Sequence, residues 1–307
     1  MNKQKRIIFM GTPDYATVIF EKLLENSYNI VALFTQPDKP IGRKQVLTPP
    51  HIKQFCLEHG LSLPIHQPGS LKDLATFEIV KKLKPDIIIV AAYGQILPKN
   101  ILDLAPCINL HASLLPKYRG ASPIQQALLD NQEYTGITAM LMDIGLDSGD
   151  ILGLKYIKIG KNIVVSELFN MLSVGAASLT LEILENFEKI KPKKQNVTLV
   201  SHCGKVNKKD GLVNFDNADK FYSKYKAYKS WPDIYLESGL KIKECILHES
   251  NSINESGKII KINKTTIVVG CKRGSIEIIT VQQPSKKAIN VVDYIRGARV
   301  TLEDYLS

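Results

Sequence analysis

Short apolar runs alternate with helix-like stretches through the first half of the chain. Strand-like runs lie at residues 6–10, 30–35 and 86–91, and their largely continuous apolar character is typical of strands buried in a parallel sheet. Apolar residues spaced for one helix face follow the first run and recur at residues 71–83. This β-α-β alternation predicts an α/β fold with a doubly wound, mostly parallel sheet and right-handed crossovers.

The first predicted strand stops at Gly11, where Thr12 is placed to cap the next helix and Pro13 to occupy its first position. Doubly wound sheets bind ligands beyond the carboxyl ends of their strands. We therefore expect this turn, the turn at residues 92–94 and the segment after Asn109 to converge on one crevice. The single glycine of the first turn disfavours a dinucleotide site, and the missing G-x-x-x-x-G-K-[ST] motif disfavours a P-loop nucleotide site.

The second half of the chain has a different pattern. Residues 166–187 have helical apolar spacing, and the polar run 189–196 after them predicts a domain boundary. Beyond one further helix at 218–227, short strand-like runs recur at near-regular spacing, which favours a small β-barrel. These runs are residues 233–236, 240–247, 258–262, 266–269 and 275–281. We divide the chain into an α/β domain (1–189), a linker (190–208) and a C-terminal domain (209–307).

Charge changes this picture, because the net charge of +10 is unevenly distributed. Residues 1–189 hold 19 basic and 18 acidic residues, whereas residues 190–307 hold 21 and 12. This concentration favours a polyanion partner such as nucleic acid, although 34 of the 40 basic residues are Lys, as in chains of biased composition. Four aromatic residues interleaved with lysines suit either RNA or a helix core face: Phe221, Tyr222, Tyr225 and Tyr228.

Several classes of protein are disfavoured by composition. The chain has no apolar run near 18 residues and no secretory leader pattern at its start, so we expect no membrane partner. Its five cysteines are scattered without a C-x-x-C pair, which indicates a reducing cytoplasm rather than a disulfide framework or a zinc finger.

Residues 36–50 form a connection with four prolines that is too long for a routine βα loop. Long loops at the active end of an α/β sheet often carry function. The segment contains Arg43, one of six arginines in the chain, beside Lys44. We interpret it as a substrate-contacting loop, with a solvated loop tip as the alternative.

Candidate chemistry is concentrated after the strand-like run 107–110. Asn109 and His111 are two residues apart, so both side chains point to the same face of a strand end. An amide beside an imidazole can polarise a carbonyl and move a proton, although most such pairs are structural. Asp147 follows in an acidic turn at residues 143–150, which resembles a Ca²⁺ loop but lacks the twelve-residue length and the terminal Glu.

Longer motifs add specificity to these residues. The chain contains F-M-G-T-P-D-Y-A, F-T-Q-P-D-K-P-I-G-R, A-A-Y-G-Q-I-L-P, N-L-H-A-S-L-L-P-K-Y-R-G-A-S-P-I-Q, M-D-I-G-L-D-S-G-D and Q-Q-P-S-K-K-A-I. Over nearly its whole length it resembles the methionyl-tRNA formyltransferases, a 10-formyltetrahydrofolate-dependent formyltransferase family. It departs from the common pattern at Ala112, Lys117 and Tyr118, where relatives often have Gly, Arg and Trp; we interpret these as tolerated variants.

The resemblance implies a function and a set of site residues. It implies formyl transfer from 10-formyltetrahydrofolate to methionyl-initiator tRNA without a metal, by a monomer with an α/β catalytic domain and an OB-like C-terminal domain. The implied catalytic residues are Asn109, His111 and Asp147. The implied folate-binding residues are Ser113, Leu114, Leu115, Pro116, Gln95, Ile96 and Leu97; plain core packing is the alternative for Leu114 and Leu115. The expected tRNA-binding residues are Gly11, Thr12, Pro13, Arg43, Lys44, Lys286 and Lys287.

Two other functions remain open at this point. A formyltransferase acting on a small amine, such as glycinamide ribonucleotide or an amino sugar, would use the same three catalytic residues. It would not need Arg43 or a strongly basic C-terminal half. A non-catalytic RNA-binding protein on a degenerate enzyme fold is the second alternative, and the intact polar trio counts against it.

Overall fold

The computed structural model describes residues 3–42 and 44–306 of the chain. Contacts between Cα atoms divide the chain into two compact units, which we describe separately. The first consists of Met1–Pro123, Tyr134–Lys158 and Phe169–Cys203, and the second of Ile124–Glu133, Ile159–Leu168 and Gly204–Ser307.

Strands and helices follow one another through residues 7–203. The last two helices of this part of the chain, α5 and α6 below, contribute residues to both units. The strands are β1 (Ile7–Gly11), β2 (Ile30–Phe34), β3 (Lys39–Ile41), β4 (Val46–Thr48), β5 (Ile65–His66), β6 (Ile87–Ala91), β7 (Cys107–His111), β8 (Arg119–Gly120), β9 (Tyr134–Leu141), β10 (Ile151–Lys158) and β11 (His202–Cys203). The helices are α1 (Asp14–Glu25), α2 (His51–Glu58), α3 (Leu74–Lys82), α4 (Lys99–Leu102), α5 (Pro123–Leu129) and α6 (Val165–Asn186).

Seven strands form the central sheet of the first unit, in the order β10-β9-β7-β6-β1-β2-β5. The five strands from β7 to β5 are parallel, while β9 pairs antiparallel with β7 and β10 antiparallel with β9. Every residue of β1 and β6 is buried, as expected of central strands covered on both faces. The predicted doubly wound, mostly parallel sheet is confirmed. Its strand order reverses between β1 and β6, so their carboxyl ends flank the position where such sheets bind ligands.

One local prediction in this unit is wrong. Helix α1 has Pro13 as its N-cap and no side-chain capping bond. The Thr12 hydroxyl instead donates to the main-chain oxygen of Tyr93 at 2.9 Å, which ties the turn after β1 to the turn after β6. Within the 36–50 segment, β3 and β4 pair as an antiparallel hairpin.

The second unit contains a mostly antiparallel sheet with two helices in its C-terminal part. Strands β12 (Ile234–Tyr235), β13 (Lys241–Glu249), β14 (Ile259–Ile262), β15 (Ile267–Gly270), β16 (Ser275–Gln282) and β17 (Ala288–Asn290) are accompanied by α7 (Ala218–Tyr228) and α8 (Val291–Ala298). The sheet order is β12-β13-β16-β15-β14, and β17 also pairs with β16. This agrees with the predicted small β domain. The four aromatic residues of α7 are buried, so the core-face interpretation of them is correct.

One helical stretch in the described part of the chain, Val165–Lys189, is long and apolar enough to cross a membrane by length and composition. The helix predicted at residues 166–187 is confirmed, but the expectation that the chain has no apolar stretch near 18 residues did not take this helix into account. More than half of its most apolar window is buried inside the protein, which is typical of a core helix. All five cysteines are buried and carry free thiols.

Candidate active site

The turns at the carboxyl end of the sheet are joined by hydrogen bonds to main-chain oxygens. In addition to the Thr12 bond, the Gln36 amide donates to the Tyr93 oxygen at 3.1 Å. The Tyr15 hydroxyl, on the first turn of α1, donates to the oxygen of Leu110 in β7 at 3.2 Å. The ends of β1, β2, β6 and β7 are therefore fixed relative to one another, as a preformed crevice requires.

Three polar side chains meet at the end of β7. Asn109 lies between Val90 of β6 and Met140 of β9 in the sheet. Its amide nitrogen donates to Asp147 Oδ1 at 3.3 Å. The imidazole Nδ1 of His111 lies 3.7 Å from Asp147 Oδ2, and the His111 side chain is 7% exposed. The structure thus brings together the amide, imidazole and carboxylate that the sequence analysis singled out.

The second ring nitrogen of His111 has a fixed partner. Nε2 lies 2.8 Å from the main-chain oxygen of Tyr118. A carbonyl oxygen only accepts hydrogen bonds, so Nε2 carries a hydrogen atom in this arrangement. Nδ1 is therefore the ring nitrogen that can gain or lose a proton, and it is the one that faces the Asp147 carboxylate.

The Asp147 carboxylate is held in turn by the backbone. Asp147 has a left-handed φ of 49°, a conformation that surrounding contacts must maintain for a residue other than glycine. Its Oδ2 atom accepts a hydrogen bond from the Gly120 amide at 2.8 Å. Gly120 itself has φ +121°, and a Cβ there would lie 2.2 Å from the Cys203 oxygen. Only glycine fits at residue 120 without moving this backbone.

The predicted folate-binding turn after β7 is tightly bonded to β9. The Ser113 hydroxyl donates to the Lys117 oxygen at 2.6 Å. Thr138 of β9 donates to the Ser113 oxygen at 2.6 Å and accepts from the Leu115 amide at 2.9 Å. Ser113 and Leu115 are buried, while Leu114 and Pro116 are half-buried. Thr138, which the sequence analysis missed, fixes the shape of this turn.

The three residues of the second predicted folate-binding segment, 95–97, differ in how far their side chains are exposed to solvent. The Gln95 side chain accepts from the Leu71 amide at 2.9 Å and donates to the Pro68 oxygen at 3.0 Å. Its amide is therefore occupied in joining two turns. Leu97 is buried in the core, whereas Ile96 is 77% exposed. Of the three side chains, that of Ile96 is free to contact a ligand.

The predicted tRNA-binding residues lie in both units. In the first, Gly11 ends β1, and Lys44 is exposed between β3 and β4. Arg43 lies outside the described residues. In the second, Lys286 and Lys287 are exposed in the turn that joins β16 to β17, where Lys286 Nζ donates to the Gln283 side chain at 2.8 Å.

Hydrogen bonds between residues of the same segment stabilise the acidic turn around Asp147. Asp143 Oδ1 accepts from the Ser148 hydroxyl at 2.6 Å and from the Gly145 amide at 3.0 Å. Among residues 3–42 and 44–306, no group of three or more His, Cys, Asp or Glu side chains is arranged to hold a metal ion.

Comparisons with known proteins identify the class to which this fold and site belong. Residues 5–182 match the formyl transferase family, and residues 205–299 match the formyl transferase C-terminal domain. The chain is therefore a formyltransferase by family. It is 55% identical over 299 residues to a methionyl-tRNA formyltransferase of a Nitratiruptor species, covering 97% of this chain and 99% of the relative. A methionyl-tRNA formyltransferase of Sulfurimonas denitrificans is 53% identical, covering 98% and 100%. The chain belongs to the methionyl-tRNA formyltransferase family.

Solved structures share the fold at low sequence identity. The N-formyltransferase from Helicobacter canadensis, in complex with folinic acid and dTDP-3-aminofucose, has a TM-score of 0.68 at 16% identity, covering 91% of this chain and all of that one. HypX from Aquifex aeolicus in complex with tetrahydrofolic acid has a TM-score of 0.67 at 15% identity, covering 99% of this chain and 49% of that one. The predicted family, enzyme class and formyl-tetrahydrofolate co-substrate are confirmed.

Proposed function

We propose that this chain transfers the formyl group of 10-formyltetrahydrofolate to the α-amino group of methionyl-initiator tRNA, giving formylmethionyl-tRNA for translation initiation. The meeting of Asn109, His111 and Asp147 at the carboxyl end of β7 supports formyl transfer, and membership of the methionyl-tRNA formyltransferase family supports the charged tRNA as the acceptor. In a chain of this family, these groups suit acyl transfer to an amine. The methionine amine attacks the formyl carbon and forms a tetrahedral oxyanion. Collapse of this intermediate breaks the bond between the formyl carbon and folate N10, and the proton lost by the amine is passed on to N10, so that tetrahydrofolate leaves.

Two of these groups stabilise the oxyanion in the proposed mechanism. The Asn109 amide gives one hydrogen to Asp147 and has a second hydrogen for the oxyanion. Protonated His111 donates from Nδ1, because its Nε2 hydrogen is committed to the Tyr118 oxygen. One such donor typically contributes about 2.7–4 kcal/mol to lowering the barrier.

Asp147 has two tasks in this mechanism. Its carboxylate faces Nδ1 of His111 at 3.7 Å and orients the ring toward the reacting groups. Through a water molecule, it accepts the proton that leaves the attacking amine. The Gly120 amide holds the carboxylate in place for both tasks.

We assign binding of the two substrates to different parts of the chain. Residues 113–116 and the 95–97 turn line the folate pocket. Residues 11–13, Arg43 and Lys44 contact the acceptor end of the tRNA, and Lys286 and Lys287 contact its phosphates. The domain 1–189 thus carries out the transfer and contacts the acceptor end, while the domain 209–307 holds other phosphates of the tRNA, in a monomer that acts in the cytoplasm.

A single assay tests this function against its alternatives. The protein is incubated with 10-formyltetrahydrofolate and methionyl-initiator tRNA, and formylmethionine is measured after deacylation. Formation of formylmethionine supports the proposal. Formylation of a free amino sugar or glycinamide ribonucleotide but not of the charged tRNA would favour a small-amine formyltransferase. Absence of any transfer would favour a non-catalytic RNA-binding protein.

Removing the two exposed lysines of the β16–β17 turn is expected to weaken tRNA binding without changing the chemical step. For the double variant Lys286→Ala, Lys287→Ala, the slope of log K against log salt should fall in magnitude by about 2, one for each lost phosphate contact. Filter binding over a salt series measures this slope, and single-turnover formylation at saturating tRNA measures the chemistry. Lys99→Ala is the matched control, because Lys99 is an exposed lysine that is paired with the exposed Asp103 at the end of α4. An unchanged slope in the double variant would remove these lysines from the interface.

A further inference from the structure

Gln195 is a buried side chain that bonds to the acidic turn at residues 143–150, which we call the Asp147 loop. It is 8% exposed. Its amide nitrogen donates to two main-chain oxygens of the loop, those of Asp147 at 2.9 Å and Gly149 at 2.8 Å. We infer that Gln195 is a positioning residue for formyl transfer, which holds Asp147 in its working conformation. This inference rests on the proposed function.

The orientation of the Gln195 amide is fixed by Arg119. Gln195 Oε1 accepts hydrogen bonds from Arg119 Nε at 3.1 Å and Nη2 at 2.7 Å. A guanidinium group only donates, so the amide oxygen must face Arg119 and both amide hydrogens must face the loop. Every polar atom of the Gln195 side chain is therefore bonded, as a buried amide requires.

Backbone pairing explains why Gln195 lies at this site. Two residues earlier, Lys193 exchanges main-chain hydrogen bonds with Ile151, at the start of β10, at 2.8 and 2.9 Å. Further along, β11 pairs in parallel with β8, which contains Arg119 and Gly120. The segment 193–203 thus runs along two sides of the Asp147 loop. It lies between the residues that match the two formyl transferase families, 5–182 and 205–299.

The loop needs such support because Asp147 occupies a left-handed conformation. Strained residues of this kind persist only where the surroundings hold them. Without the two Gln195 donors, the carbonyl groups of Asp147 and Gly149 lose their partners and the loop can relax. The carboxylate then moves away from the Gly120 amide and the His111 ring. A displacement of about 1 Å in such a site can cost on the order of 100-fold in rate.

The variant Gln195→Glu tests this role with minimal change in shape. The carboxylate still accepts from Arg119, but it has no hydrogen atoms for the two loop oxygens. We expect the kcat of formylation to fall about 100-fold, with the KM values for folate and methionyl-tRNA close to those of the wild type. Gln54→Ala is the control, since Gln54 is exposed and bonds to Glu58 on the same helix. Thermal unfolding identifies variants that remain folded.

A double-mutant cycle separates positioning from general stability. If Gln195 acts through Asp147, then adding Gln195→Glu to Asp147→Asn should lower kcat far less than it does in the wild type. Full additivity of the two changes, or an unchanged kcat in folded Gln195→Glu, would overturn the inference.

Amide hydrogen exchange provides a readout that needs no substrate. Residues 143–150 should exchange faster in Gln195→Glu than in the wild type, while the hairpin of β3 and β4 should be unchanged. Equal exchange of residues 143–150 in the two proteins would refute the role of Gln195 whichever acceptor is formylated. A wild-type protein that fails to formylate methionyl-tRNA would instead count against the proposed function alone.

Discussion

Replacing His111 by alanine is expected to lower the kcat of formyl transfer by about 10²–10⁴-fold, the usual contribution of a positioned general acid or base. The change removes the one ring nitrogen, Nδ1, that faces Asp147 and can exchange a proton. Binding of methionyl-tRNA should stay near the wild-type affinity, because a side chain that is 7% exposed offers little surface to a macromolecule. Single-turnover formylation and filter binding measure the two quantities separately.

The matched control for this change is His59→Ala. His59 is exposed, and its ring stacks on Phe55 on the surface of the first unit. Its replacement should leave both kcat and tRNA affinity unchanged. Formylation at the wild-type rate by a folded His111→Ala protein would refute the proposed mechanism. A parallel loss of tRNA binding would show instead that the change disrupts more than the chemical step.

Substituting Gly120 by alanine should affect stability and catalysis together. A Cβ at residue 120 would lie 2.2 Å from the Cys203 oxygen, and the φ of +121° is unfavourable for alanine. We expect the free energy of unfolding to fall by about 3 kcal/mol. Because the Gly120 amide donates to Asp147, any backbone shift that relieves the clash also releases the carboxylate. The variant should therefore have a reduced kcat even under conditions where it is folded.

Urea unfolding and formylation kinetics test this expectation. Gly69→Ala serves as the control, because a Cβ at residue 69 would meet no atom within 4 Å and the residue has no positive φ. That variant should unfold at nearly the wild-type urea concentration with normal kinetics. A Gly120→Ala protein as stable and as active as the wild type would show that β8 and β11 can separate without cost to the site.

The sheet could be predicted from the sequence because its central strands are continuous apolar runs. Strands β1 and β6 are buried throughout, and such runs carry their own signal without reference to distant residues. The catalytic trio could also be predicted, since Asn109 and His111 are two residues apart on one strand and share a face. The acidic turn that contains Asp147 belongs to a recognisable motif. The predicted members of the trio do come together, although their roles are still predictions.

Features that depend on distant partners were missed or misinterpreted. The hydroxyl of Thr12 is suited to a local cap, but it bonds to a residue 81 positions away. Gln195 bonds to residues 46 and 48 positions earlier, in a polar stretch that we interpreted as part of a linker. No periodicity or local propensity marks such contacts, because tertiary pairing of Lys193 with Ile151 brings them about.

The course of residues 193–203 limits how modular this enzyme is. The two halves of the chain match separate families, which suggests that they could be exchanged between relatives at the gap between them. Yet this gap contains Gln195, which donates to the Asp147 main chain. It also contains β11, which pairs with β8, the strand whose Gly120 amide donates to the Asp147 carboxylate. A chimaera joined before residue 193 would combine one parent's catalytic groups with another parent's support for them. With a junction after Cys203, the catalytic groups and the residues that support them come from the same parent protein.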